Sequence, residues 1–139
     1  MSTIIGSRHE CAYCGWSGGD RDHVPALSMY WIGGRKRAPF RGRWVPACKE
    51  CNTSLGNSYL LTIQDRADHL IDIYEKKYRK LLNQPVWGEE ELEKMAPGMQ
   101  AFIQAKTAKR QIILDRLAHL GAIHRFGPVT IEDYWQQLA

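Results

Sequence analysis

The sequence predicts an α+β protein that is mainly α overall: a small metal-organised unit with short strands in residues 1–60, then long helices in residues 61–139. Three observations carry this. Residues 7–56 are dense in Gly, Cys, Trp and Arg and show no long amphipathic period, as expected where a metal replaces a large apolar core. From Thr62 onward, apolar residues recur at three- and four-residue steps, the stripe of helices that bury one face. A length of 139 residues fits one compact unit and leaves no room for two ordinary domains.

The N-terminal unit is framed by Cys11-Ala-Tyr-Cys14 and Cys48-Lys-Glu-Cys51. Two C-x2-C knuckles without a secretion signal are the pattern of a tetrahedral zinc site with four thiolate ligands, in preference to redox-active or merely buried thiols. Gly15, directly after the first pair, suits a knuckle, where backbone amides turn back toward the sulfurs.

Charge is distributed unevenly around these knuckles. The formal net charge of +4 lies wholly in residues 1–60, where eight Lys/Arg oppose Glu10, Asp20, Asp22 and Glu50; residues 61–139 hold eleven cations and eleven anions. Four thiolates on Zn2+ would cancel about two of these positive charges. What remains is concentrated in Arg35, Lys36, Arg37, Arg41 and Arg43, with Phe40 inside the run and Trp31 and Trp44 flanking it. Cations interleaved with aromatics suit contact with a phosphate backbone, and a solvated loop is the plainer alternative.

In the second part, Ile63, Ala67, Leu70, Tyr74, Tyr78 and Leu81 mark a helix that Thr62 and Asp65 cap and Pro85 closes. Residues 84–98 read as a connection carrying Glu89, Glu90, Glu91 and Glu93 and ending in Pro97-Gly98. A second helix is expected from about Met99 to Leu120, with Gly121 as its C′ residue. Thr130 and Asp133 cap a short last helix with Tyr134, Trp135 and Leu138. Two helices of about twenty residues cannot cover both of their own apolar sides. Either a homodimer packed through residues 62–120 or an intramolecular hairpin would close them.

Between the knuckles stands Asp22-His23, and directly after the last cysteine stands Asn52. Alone each means little; His23 could cap a turn, and Asn52 could be the N-cap of the helix after the knuckle. His9, His69, His119 and His124 lack comparable context and read as structural or exposed.

Taken together, Asp22-His23, Arg41-Gly42 and Cys48-Lys-Glu-Cys51-Asn52-Thr-Ser-Leu-Gly56 resemble the HNH, or ββα-metal, nucleases, and within them the phage recombination endonuclease VII family. The match spans about residues 8–58. Val24-Pro25 follows the general HNH pattern, and the insertion between His23 and Cys48 is long and arginine-rich, so the nuclease likeness is firmer than the junction-resolving one. The resemblance implies a treble-clef ββα-metal domain and a metal-dependent DNA endonuclease acting on branched or nicked DNA.

In that reading His23 is the general base, since a histidine's ordinary pKa of about 6.5 lets an imidazole take a proton from water at neutral pH. Asp22 and Asn52 would hold Mg2+ or Mn2+ through a carboxylate and a neutral carbonyl oxygen, and Arg41 or Arg43 would clamp a phosphate. Strand alternation sends Asp22 and His23 to opposite sides, so Asp22 has to reach the cation from a turn. The competing function is a non-catalytic, zinc-stabilised nucleic-acid-binding or regulatory module; Asp22, His23 and Asn52 together separate the two.

The longest aliphatic run, Ile112-Ile113-Leu114, is far short of the roughly 20 apolar residues that cross a bilayer, and no apolar segment follows Met1. The expectation is a soluble cytoplasmic protein without membrane partners, in a bacterial host's cytoplasm if the chain is phage-encoded.

Overall fold

A computed structural model describes residues 6–23, 31–32, 35–36, 44–56 and 58–138. Arg37, Arg41, Gly42 and Arg43 lie outside the described residues; Arg35 and Lys36 lie on a two-residue strand. The elements are β1 (Asp20–His23), β2 (Trp31–Ile32), β3 (Arg35–Lys36), β4 (Trp44–Ala47), α1 (Lys49–Leu55), α2 (Ile63–Lys77), α3 (Arg79–Leu82), α4 (Glu89–Glu93), α5 (Pro97–Phe126) and α6 (Ile131–Leu138). The molecule is mainly helical with a small strand component, as the sequence predicts.

The strands form two antiparallel pairs. β1 pairs with β4 in the register Asp20↔Ala47, Arg21↔Pro46, Asp22↔Val45 and His23↔Trp44; β2 pairs with β3. The first knuckle docks on this hairpin, because the Ala12 N–H donates to the carbonyl of Pro46 (2.8 Å). Proline lacks a donor of its own, but its carbonyl is fully available on a strand edge.

α1 follows β4 directly. Cys48 is its N-cap, accepting the Cys51 N–H at its sulfur (3.3 Å), so one residue both starts the helix and joins the cysteine cluster. Gly56 ends it at φ +50°, a left-handed conformation that glycine adopts without steric cost. Asn52 is therefore inside α1 and not at its N-cap.

α2 begins as predicted, with the Thr62 hydroxyl accepting the Asp65 N–H (3.1 Å). It stops at Tyr78 (φ −104°, ψ 19°), and the short α3 carries Leu81, so the single helix expected across 62–81 is broken in two. The connection at 84–98 contains the four-glutamate helix α4, whose acidic first turn complements the helix dipole.

α5 differs more. It runs from Pro97, a residue whose missing N–H is harmless in a first turn, straight through Gly121 to Phe126. Gly121 is thus a helix-interior residue, and Gly127 caps the end by donating to the Ile123 carbonyl (2.9 Å). Thr130 and Asp133 cap α6 reciprocally, at 3.0 and 3.2 Å.

α2 packs along the second half of α5, which buries Ile113, Arg116, Leu120 and Ile123. One continuous core joins Cys11, Tyr13, Cys14, Val45, Cys51 and Leu55 to Ile63, Leu70, Tyr74, Leu120, Ile123 and Tyr134. The core therefore spans residue 60. α6 returns to the strands: Trp135 sets its ring edge-on to Trp44 (centroids 5.3 Å) and donates its indole N–H to the Trp44 carbonyl (3.0 Å). No described helix is long and apolar enough to cross a membrane.

Candidate metal centre and its surroundings

The four cysteines named from sequence spacing come together. Cys11, Cys14, Cys48 and Cys51 are all buried, and their sulfurs all lie within 4.8 Å of one another. The Cys14 and Cys48 sulfurs are 3.7 Å apart, against about 3.8 Å for the edge of a tetrahedron with zinc–sulfur bonds of about 2.3 Å. Donor number, donor softness and spacing all fit Zn2+.

The crowding is visible in the thiol acidities. Hydrogen bonds from Cys11 and Cys51 pull Cys48 down to about 6, and hydrogen bonds from the other three cysteines hold Cys14 well below the usual thiol range. The same neighbours push Cys51 up, and burial pushes Cys11 up. Four thiols this close cannot all ionise without a cation to share their charge.

Gly15 serves the site twice. Its φ is +78°, and a Cβ there would stand 2.9 Å from the His119 ring. His119 in turn lies against the first knuckle, its Nδ1 2.9 Å from the Tyr13 carbonyl oxygen.

Helices α2 and α5 bring polar side chains onto the cluster. The Tyr74 hydroxyl donates to the Cys51 sulfur (3.0 Å), and Arg116 places Nη2 3.7 Å from the Cys48 sulfur and Nη1 2.6 Å from Glu50 Oε1. Glu50 also accepts from Lys77 (2.6 Å) and from the Tyr78 hydroxyl. Burial opposes the Glu50 charge, but hydrogen bonds from Lys77, Tyr78 and Arg116 hold its pKa below the ordinary carboxylate value.

Asp22 is engaged in a buried ion pair. Its carboxylate is 3% exposed and is closed over by Arg66, which donates from Nη2 to Oδ1 (2.7 Å) and Oδ2 (2.8 Å) and from Nε to Oδ2 (3.0 Å), and by the Tyr13 hydroxyl. Arg66 is itself fully buried and also donates from Nη1 to the Leu60 carbonyl (2.8 Å). Burial raises the Asp22 pKa above its ordinary value against the pull of Arg66. To reach a cation, Asp22 would have to leave this buried guanidinium.

Asn52 has a different carboxylate beside it. Its amide nitrogen donates to Asp20 Oδ2 (3.3 Å), and both residues are half-buried. Asp20, the first residue of β1, shares the inward face with Asp22 through the two-residue repeat, while Arg66 donates to Asp22. A cleft of about 390 Å³, lined in part by Trp16, Asp20, Lys49, Glu50 and Arg116, opens beside it.

His23 is the last residue of β1, half-buried, on the face opposite Asp22 as alternation requires. The same outer face carries Arg21, whose guanidinium stacks over the Trp44 ring at 4.6 Å. Of the predicted residues, the structure thus assembles the four cysteines, brings Asn52 to Asp20, and turns Asp22 inward.

Sequence reasoning passed over Arg66, Tyr74 and Arg116 as contributors to the site. A signal was present: Arg66 follows Ile63 by three and precedes Leu70 by four, and Arg116 stands likewise between Ile113 and Leu120. A cation on the buried stripe of a helix demands a buried anion. Comparison with protein-family models, curated proteins and solved structures gives no match for this chain.

Proposed function

We propose that the chain is a metal-dependent DNA endonuclease of the HNH type, with a treble-clef ββα-metal unit built on a structural zinc held by Cys11, Cys14, Cys48 and Cys51. The observation that carries this reading is the meeting of Asn52 on α1 with Asp20 on β1, at 3.3 Å, between two knuckles whose cysteines cluster. The Asp20 carboxylate on β1 and the Asn52 amide on α1 would be a suitable oxygen donor pair for Mg2+ or Mn2+ once the amide turns its carbonyl oxygen, in place of its N–H, toward the cation. Asp20 therefore takes the place that the resemblance gave to Asp22. A divalent cation bound there would offset the charge that builds on the phosphate during attack.

The chain's own residues supply the rest. In this reading His23, on the face of β1 opposite Asp20, is the proton acceptor: it takes the proton of the attacking water as the water oxygen bonds to phosphorus and the bond to the 3′ oxygen breaks. Arg21 and Lys49 are cations near the site, and the run Arg35, Lys36, Arg37, Arg41 and Arg43 adds positive charge in the sequence between the knuckles, which suits a phosphate backbone. A second copy packed along the first half of α5 is supported by exposed Met99 and Phe102 on a stretch without buried residues.

One observation favours the non-catalytic nucleic-acid-binding reading: the acid of the Asp-His pair is bound to Arg66 and Tyr13. Nicking of supercoiled plasmid and cleavage of a four-way junction, each against an equal-length duplex with added Mg2+ or Mn2+, separates the two. The endonuclease reading expects cation-dependent cutting that falls at least about a hundredfold in His23→Ala, Asn52→Ala and Asp20→Ala. Binding without cutting leaves the binding module, and cutting unchanged in His23→Ala removes His23 as the general base.

A further inference from the structure

We propose that Arg116 and Tyr74 are positioning residues of the four-cysteine metal site, so that metal retention depends on how α5 and α2 seat against the knuckles. The proposal rests on the zinc reading above and adds residues that no part of the knuckle pattern names.

Arg116 reaches the cluster from α5, 68 positions beyond Cys48, and is 8% exposed. Its Nη2 lies 3.7 Å from the Cys48 sulfur, 4.0 Å from the Cys51 sulfur and 3.3 Å from the Tyr74 hydroxyl oxygen. Its Nη1 donates to Glu50, which Lys77 backs from the surface. The Tyr74 hydroxyl donates to the Cys51 sulfur. The Arg116 Nε is buried and has no hydrogen-bond partner among the described residues.

Burying a guanidinium with one unmatched N–H costs stability unless a nearby negative charge compensates. Four thiolates around a divalent cation leave about two net negative charges, and Arg116 is the buried cation that faces them. Hydrogen bonds to ligand atoms orient the ligands and tune the metal, and losing them typically lowers metal affinity about ten- to a hundredfold. A purely mechanical role has its own support, since Arg116 stacks on Tyr74 (4.9 Å) and faces Trp16 (5.9 Å). The test must therefore read the metal and not the fold alone.

The experiment uses the full-length zinc-loaded protein, with release followed in excess chromogenic chelator, and the cobalt-substituted protein, with thiolate-to-cobalt absorption recorded. Arg116→Met is expected to release zinc about tenfold or more faster than wild type, Arg116→Lys at an intermediate rate, and Tyr74→Phe about threefold faster. The cobalt bands of Arg116→Met and Tyr74→Phe should shift while the far-ultraviolet circular dichroism stays that of wild type. Release within twofold of wild type in all three, with superimposable cobalt spectra, overturns the proposal. If Arg116→Met does not fold, Arg116→Lys and Tyr74→Phe decide it by the same criteria. A wild-type protein that takes up neither zinc nor cobalt overturns the zinc reading itself, and this proposal with it.

Discussion

Asp22 and Arg66 form a buried ion pair at 2.7 Å. Each is buried, and each is the other's main counter-charge. Removing one member leaves an uncompensated charge in the core, which costs about 3–5 kcal/mol, whereas replacing both with apolar groups of similar size is often neutral. Asp22→Asn is therefore expected to lower the urea midpoint strongly, and the double variant Asp22→Leu/Arg66→Met to recover most of the loss. A single variant as stable as wild type would refute the ion pair as a structural brace. Asp20→Asn, at a half-buried position away from that pair, is expected to stay within about 1 kcal/mol of wild type in the same titration. The contrast explains what sequence could and could not disclose here. The cysteine spacing exposed the metal centre directly, because C-x2-C is a local geometric requirement. Which of two aspartates on one strand faces Asn52 depended on where an arginine 44 residues away sits, and no local pattern encodes that.

Among the elements, α5 shows how propensity and packing divide the control of a helix end. Gly121 reads as a stop signal, yet it is followed by Ala122, Ile123 and His124, and burying Ile123 beside Leu120 continues the helix through it. A Cβ at Gly121 would meet only the end of the exposed Arg125 side chain, at 3.1 Å, a group free to move aside. Gly121→Ala should therefore stabilise the protein by about 0.5–1 kcal/mol, seen as a higher thermal midpoint. At Gly127 a Cβ would come 2.6 Å from the Ile123 carbonyl oxygen, which is backbone and cannot yield cheaply. Gly127→Ala is expected to destabilise, opposite in sign to Gly121→Ala; the same sign in both would show that the end of α5 is misplaced. The capping pairs Thr62/Asp65 and Thr130/Asp133 were readable in advance because each is a contact within one turn. The break at Tyr78 was not, since Tyr78 turns to hydrogen-bond Glu50 on α1, a tertiary demand on an otherwise continuous stripe.

For the molecule as a whole, the decisive feature is that the four-cysteine cluster and the helices share one core. Tyr74 of α2 and Arg116 of α5 contact the cysteine sulfurs, His119 contacts Tyr13 of the first knuckle, and Trp135 of α6 is fastened to β4. The composition shift near residue 60 is thus a change in local character and not a seam in packing. Binding of a structural zinc is worth about 10–16 kcal/mol in small domains, comparable to the whole stability of a chain this size. Removing the metal should then release the helices together with the knuckles. Treatment with a strong chelator under reducing conditions is expected to abolish the near-ultraviolet signal of the tryptophans and to lower the helical ellipticity in one cooperative transition, reversed by added zinc. A fragment of residues 61–139 should by itself show little stable helix, because the stripes that carry Arg66, Tyr74 and Arg116 would face water with charged and aromatic groups left unmatched. If that fragment instead melts cooperatively with the ellipticity of the full chain, the helical part is an independent domain, and the shared core is dispensable to it.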